Sequence, residues 1–189
     1  GESQILKQVR EALETSQATG SARLVINEVF QRALRVGKRA RSETDIGRGH
    51  LSVSTAAVEL ASQIFDSLDN RSALLLGAGE MIELTAQYLV DTGLTHFIVA
   101  NRTVERAAEL AGRFDGEAIP LDAIGDRLLE VDIVIASTAA PGFIVDAQML
   151  RQAMSQRRGR PLFLIDIAVP RDIDPDVRGL DNVFLFDID

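Results

Sequence analysis

The chain has 189 residues, 46% of them hydrophobic, and carries 20 Lys and Arg against 28 Asp and Glu for a formal net charge of −8. That length and apolar share suit a folded protein with one full core plus an appendage and exclude a disordered chain, and the negative balance argues against a protein that coats nucleic acid. With no cysteine and two histidines, His50 and His96, disulfides and thiolate metal sites are excluded, and neither histidine reads as a metal ligand.

No apolar run approaches the roughly 20 residues needed to cross a bilayer, and the N-terminus lacks a basic region followed by an apolar signal core. The expected compartment is the cytoplasm. A first residue of Gly rather than Met suggests a piece of something longer.

Residues 2–19 read as an amphipathic helix, with Ile5, Val9 and Leu13 at i, i+4 and i+8 and a stop at Thr19-Gly20. A second helix is expected over 22–40, with Val25, Val29, Ala33 and Val36 as its apolar face and Phe30 and Leu34 flanking it. Arg32, Arg35, Lys38, Arg39, Arg41 and Arg48 stand against only Glu43 and Asp45, which fits either a solvated helix face or a local contact with phosphates. The stretch 42–49 breaks the pattern with two glycines and places a domain boundary between residues 1–49 and 50–189. A further helix is expected from Ser52 or Ser54, with Val58, Ala61, Ile64, Phe65 and Leu68 on one face, ending at Asp69-Asn70.

From there short apolar runs alternate with helical patterns. Strands are expected near 73–76, 96–100, 117–119, 132–136, 162–166 and 183–186, and helices near 80–92, 104–114, 121–130 and 146–157. This alternation is the signature of an α/β fold with a doubly wound parallel sheet, and right-handed crossovers give the order 3-2-1-4-5-6. A ligand crevice then lies at the carboxyl ends of strands one and four. The acidic stretch 172–189 reads as serving solubility or a domain junction.

The first of these strands runs into Gly77-Ala78-Gly79-Glu80-Met81-Ile82. Gly77 allows the sharp turn, and the missing Cβ of Gly79 lets a pyrophosphate approach the N-terminus of the following helix, where the helix dipole is positive. Ile82 replaces the usual third small residue, so the helix is expected to stand slightly further from the strand. A short glycine motif alone is weak, and a plain strand-to-helix turn is the alternative.

The end of the second strand is more informative. Where an NAD-binding unit carries an acidic residue for the ribose 2′-hydroxyl, this chain has Asn101-Arg102-Thr103. A guanidinium can hold a 2′-phosphate bidentately and Asn and Thr can add hydrogen bonds, so the expected cofactor is NADPH. Asn101 and Thr103 also suit helix capping, which is compatible with phosphate binding. Ser137 and Thr138, after strand four, either face the nicotinamide or satisfy backbone groups in a turn. Asp166, at the end of strand five, needs a partner, and Arg171 is the expected one.

Several segments together resemble glutamyl-tRNA reductase: 1–9 (GESQILKQV), 38–46 (KRARSETDI), 52–54 (SVS), 76–84 (LGAGEMIEL), 100–103 (ANRT), 137–141 (STAAP) and 166–173 (DIAVPRDI). The resemblance implies the NADPH-binding domain plus the end of the catalytic domain of a three-part enzyme that reduces glutamyl-tRNA(Glu) to glutamate-1-semialdehyde in tetrapyrrole synthesis. In that family a cysteine of the catalytic domain, absent here, holds glutamate as a thioester. The fragment is therefore expected to be inactive alone. The resemblance further implies a homodimer formed by a C-terminal domain beyond this chain and an aminomutase as receiver of the semialdehyde. It assigns Glu2, Ser3, Gln4 and Gln8 to the glutamate site, the family more often having Pro at Ser3 and Gly at Lys7. It also suggests Lys38, Arg39 and Arg41 as tRNA contacts.

Two other readings remain open. An NADP domain of a shikimate- or amino-acid-dehydrogenase-like enzyme shares the Asn-Arg-Thr pattern, and a non-catalytic NADP(H)-sensing module would need only binding.

Overall fold

The computed structural model describes residues 3–44, 46, 53–65 and 67–187, with the backbone alone for Ser3, Gln4 and Val53. The chain divides into two compact units, 1–52 and 53–189.

The first unit contains two helices, α1 (Ser3–Ala18) and α2 (Leu24–Glu43). Leu6, Val9 and Leu13 turn inward from α1, with Leu13 buried. On α2 the inward stripe is Asn27, Phe30, Leu34, Gly37 and Ala40. This corrects the expected apolar face: Val25, Val29 and Val36 are 72, 56 and 62% exposed. Both stripes have helical spacing, so periodicity alone could not choose between them. At Gly37 the missing Cβ leaves room for the end of the Leu6 side chain.

In the second unit the apolar runs form six parallel strands. They are β1 (Ser72–Leu76), β2 (His96–Asn101), β3 (Glu117–Pro120), β4 (Ile133–Ala136), β5 (Leu162–Asp166) and β6 (Val183–Asp187). Their order is β3-β2-β1-β4-β5-β6, as the right-handed crossover rule requires. Alternate strand residues feed two cores, one on each face of the sheet. Ala73, Leu75, Val99, Ile133 and Ile135 pack with α3 (Val53–Ile64), α4 (Glu80–Asp91) and α5 (Val104–Gly112). Leu74, Leu76, Ala100, Val134 and Leu164 pack with α6 (Ile124–Arg127) and α7 (Ala147–Gln156). Burial on both faces explains why the inner strands β2, β1, β4 and β5 are continuous apolar runs rather than alternating ones.

Three boundaries differ from expectation. Helix α3 ends at Ile64 rather than near Asp69: the Ser67 hydroxyl accepts from the Asp69 N–H at 3.0 Å and Asn70 turns left-handed at φ 62°. The helix expected over 121–130 is a 3-10 turn (Leu121–Ala123) followed by the single turn of α6, in keeping with the poor helix propensity of Gly125 at its centre. The acidic C-terminal stretch is structural. Its 3-10 turn (Pro175–Gly179) buries Val177, and β6 closes the sheet edge beside β5.

Candidate cofactor site

Strand register brings the residues of interest to one edge. Leu76 lies opposite both Ala100 and Ala136, and Ala136 lies opposite Asp166. The chain therefore leaves the sheet at Gly77, Asn101 and Ser137 along a single carboxyl rim, with the reversal of strand order falling between β1 and β4.

The two glycines of the first turn are different in kind. Gly77 has φ +113°, and a Cβ on it would stand 2.6 Å from the Ser137 carbonyl oxygen and 3.4 Å from Thr138 Cγ2. Its N–H donates to Ala100 O at 2.8 Å. Glycine is thus demanded there by backbone conformation and by the neighbouring loop. Gly79 is the N-cap of α4 in an ordinary extended conformation, and a Cβ there would meet no atom within 4 Å. Among the described residues no atom crowds that position, as the approach of a pyrophosphate to a helix N-terminus requires.

Ala78 is half-buried, Glu80 is exposed and Met81 is half-buried at this turn. Ile82 points elsewhere: its side chain is 0% exposed in the core between sheet and helices, so only its backbone remains available to a ligand. Ser54, fully buried on α3, donates to Met81 O at 3.1 Å, and Thr85 Oγ1 donates to the same oxygen at 2.8 Å. These two hydroxyls seat the first turn of α4. Ser54 lies 27 residues from Met81, a separation no local motif reveals.

At the end of β2, Asn101 is half-buried and donates to Thr103 O at 3.0 Å, while Arg102 and Thr103 are exposed. Thr103 occupies the N-cap of α5 without making a side-chain cap hydrogen bond. Capping therefore does not consume its hydroxyl. None of Asn101, Arg102 and Thr103 is acidic, and the first carboxylate after them is that of Glu105 in the first turn of α5.

After β4, Ser137 is half-buried and its N–H donates to Leu76 O at 3.0 Å. Thr138 is engaged inside the protein: its N–H and its hydroxyl donate to the Asp172 carboxylate at 2.6 and 2.5 Å, and its Oγ1 accepts from the Ala140 N–H at 3.1 Å. Of the two roles open to Thr138, these bonds supply the internal one. Its polar atoms serve a buried carboxylate and a turn. Phe143 and Val169, on the loops after β4 and β5, are 53 and 78% exposed.

Asp166 is 1% exposed, and its partners are not Arg171 as expected but three backbone N–H groups, those of Ala168, Asp172 and Ile173, at 3.0, 3.0 and 2.9 Å. Arg171 instead approaches Asp187 at 3.3 Å. The chain curls back over the carboxylate, so amides reach it first. Burial holds the Asp166 carboxyl above its ordinary value against the lowering effect of those amides, and it holds Asp172 above its own against Thr138. Among the described residues no cluster of His, Asp or Glu suits a metal ion, and no helix is long and apolar enough to cross a membrane.

The chain is 51% identical over all of its length to a glutamyl-tRNA reductase of Bacillus velezensis, of which it covers 42%. A glutamyl-tRNA reductase of Magnetococcus marinus is 48% identical, again over the whole chain and 45% of that protein. The chain belongs to the glutamyl-tRNA reductase family. It spans less than half the length of the curated reductases it matches. Residues 1–44 match the model of the glutamyl-tRNA reductase N-terminal domain, and residues 59–189 match that of shikimate / quinate 5-dehydrogenase. The second match identifies the sheet as an NAD(P)-binding domain shared by both kinds of enzyme. Among solved structures, glutamyl-tRNA reductase from Methanopyrus kandleri superposes with a TM-score of 0.69 at 41% identity, over 99% of this chain and 47% of that one.

The residues that the reductase resemblance assigns to a glutamate site belong to the first unit. Glu2 lies outside the described residues, Ser3 and Gln4 begin α1, and Gln8 is exposed on that helix. Of the cations on α2, Arg39 is paired with Glu43 at 3.0 and 3.1 Å, which holds its guanidinium above its ordinary range, and Arg32 is paired with Glu28 at 2.9 Å. His96 is exposed at the start of β2, as expected of a surface residue, and His50 lies outside the described residues.

Proposed function

We propose that this chain is the cofactor-binding part of an NADPH-dependent glutamyl-tRNA reductase. The supporting observation is the open space over Gly79 at the start of α4, on the same rim as an exposed Arg102 with no acidic neighbour at the strand end.

In this reading the turn Gly77-Ala78-Gly79 and the first-turn backbone of Glu80, Met81 and Ile82 hold the pyrophosphate. Arg102 holds the adenosine 2′-phosphate, with Asn101 and Thr103 beside it, and Ser137 borders the nicotinamide. NADPH, when bound, supplies a hydride. The chain's own residues orient the cofactor and shield it from water, raising the effective concentration of one reactant against the other. The acceptor is a glutamyl thioester on a cysteine outside this sequence, and the reductase resemblance makes Glu2, Ser3, Gln4 and Gln8 the partners of its ammonium and carboxylate. Thioester reduction gives the semialdehyde and returns the thiolate. The tRNA substrate, the homodimer, and the aminomutase as receiver of the aldehyde come with the same reading.

Two measurements test it. Fluorescence titration of the purified chain should show saturable NADPH binding that is tighter than NADH binding. Adding a cysteine-bearing N-terminal segment should then restore reduction of glutamyl-tRNA, whereas the chain alone should form no aldehyde. Aldehyde from the cysteine-free chain would overturn the thioester chemistry, and NADPH binding without restored turnover would favour a sensing module.

A further inference from the structure

The loop that borders the nicotinamide side of the crevice is held from behind by one carboxylate. Asp172 is 0% exposed, and it touches three segments at once. Its side chain takes the N–H and hydroxyl of Thr138 at 2.6 and 2.5 Å. Its own N–H donates to Asp166 Oδ2 at 3.0 Å, which ties it to the end of β5. Its carbonyl accepts from the N–H groups of Ile144 and Val145 at 2.6 and 3.1 Å, just ahead of α7. Thr138 in turn lies against the first glycine turn, its Cγ2 3.4 Å from where a Cβ of Gly77 would be. Thr138, anchored by Asp172, therefore packs beside the turn after β1 and fixes the start of the loop after β4.

No cation takes part: among the described residues, the hydrogen-bond partners of both buried carboxylates are N–H and O–H groups. A buried ion held only by donors on a loop is costly to keep unless those donors are fixed, and the same bonds that satisfy Asp172 immobilise the loop. Charge-assisted hydrogen bonds of this kind are roughly twice as strong as neutral ones.

We propose that Asp172 is a positioning residue for the cofactor. By anchoring Thr138 it fixes the loop after β4 in the place where Ser137 and the adjoining backbone meet the nicotinamide half of the dinucleotide, while leaving the adenosine half to the turn after β1 and the end of β2. The inference rests on the NADPH reading and deepens it.

The two halves of the cofactor can be separated by experiment. NADPH and 2′,5′-ADP, which carries the adenosine phosphates and no nicotinamide, are titrated against the purified chain, Asp172→Ala, Thr138→Val and Thr138→Ser. For Asp172→Ala the NADPH Kd should rise about tenfold, the scale of one charged hydrogen bond, with the 2′,5′-ADP Kd held within about twofold. Thr138→Val should show a smaller rise of the same selectivity, because its N–H still reaches Asp172, and Thr138→Ser should restore wild-type binding. Should Asp172→Ala fail to fold, the pair of Thr138 variants decides by the same comparison. Equal weakening of both ligands, or none, in the variants that fold would overturn the proposal while leaving the NADPH reading intact. Failure of the unaltered chain to bind NADPH would overturn both.

Discussion

A Cβ on Gly77 would stand 2.6 Å from the carbonyl oxygen of Ser137, so the turn after β1 and the loop after β4 are closer than any other residue type at position 77 allows. The left-handed φ of +113° adds a second penalty to any side chain. Gly77→Ala should destabilise the chain by roughly 1–3 kcal/mol and weaken NADPH by pushing Ser137 outward. Gly79→Ala should behave oppositely. Its Cβ meets no protein atom within 4 Å, so thermal stability should hardly change while NADPH binding falls. Thermal melts and fluorescence titrations on both variants check this pair, and a Gly79→Ala chain that binds NADPH normally would remove the cradle.

Arg102 is exposed at the end of β2, where an NAD-binding unit would place a carboxylate. Arg102→Ala should cost about 1.5 to 3 kcal/mol of NADPH affinity, the range for a hydrogen bond to a charged group, with NADH binding nearly unchanged. Calorimetric titration with both cofactors is the measurement. Equal losses would mean that the guanidinium does not read the 2′-phosphate.

The strand order was legible because the inner strands β2, β1, β4 and β5 are runs of four to six residues buried on both faces, and because handed crossovers leave few topologies. The glycine turn and Asn101-Arg102-Thr103 were legible as local patterns. What could not be read is held by distant partners. Ser54 reaches Met81, and Thr138 reaches Asp172 across 34 positions, so Thr138 was expected beside the cofactor and Asp172 was not singled out. Arg171 was matched to Asp166 by proximity and charge. The fold satisfied that carboxylate with amides of its own loop instead, which need no particular side chain and leave no mark in the sequence. On α2 two stripes of helical spacing compete, and the one turned inward carries Gly37 against Leu6 and the hydrogen-bonded Asn27.

Arg157 is another residue of this hidden class. It is 2% exposed, and its guanidinium donates to the carbonyls of Leu128, Val131 and Pro161 at 2.6, 2.7 and 2.6 Å and to that of Arg160 at 3.3 Å. One planar fork thus ties the C-terminus of α7 to the connection ahead of β4. Burial, with Arg160 nearby, holds its pKa below the ordinary arginine range. Arg157→Met fills similar space but leaves those carbonyls without a donor, which should lower stability by about 3 kcal/mol or more. Arg157→Lys keeps the charge but not the fork and should recover only part of the loss. Urea unfolding of the two variants checks the order. Equal stability of Met and wild type would show that the carbonyls find other donors.

The raised carboxyls of Asp166 and Asp172 give stability a definite pH slope. Burial is the leading cause for both, and for Asp166 the charge of Asp172 adds to it, each group starting from an ordinary value of 3.8. Between that value and the higher folded one, the folded chain retains a proton that the unfolded chain has released. The folded state then binds more protons, so the contribution of these groups to stability is fully present below 3.8 and is lost as pH rises through the folded values. Asp166→Asn removes one such titration. Whatever the variant costs at low pH by presenting an amide nitrogen to backbone N–H groups, its stability relative to wild type should improve as pH is raised from about 4 toward 7. Urea midpoints of the two proteins across that range measure the difference. A flat difference would mean that the three amide donors offset burial, and one that runs the other way that they outweigh it and hold the folded Asp166 more acidic than the unfolded one.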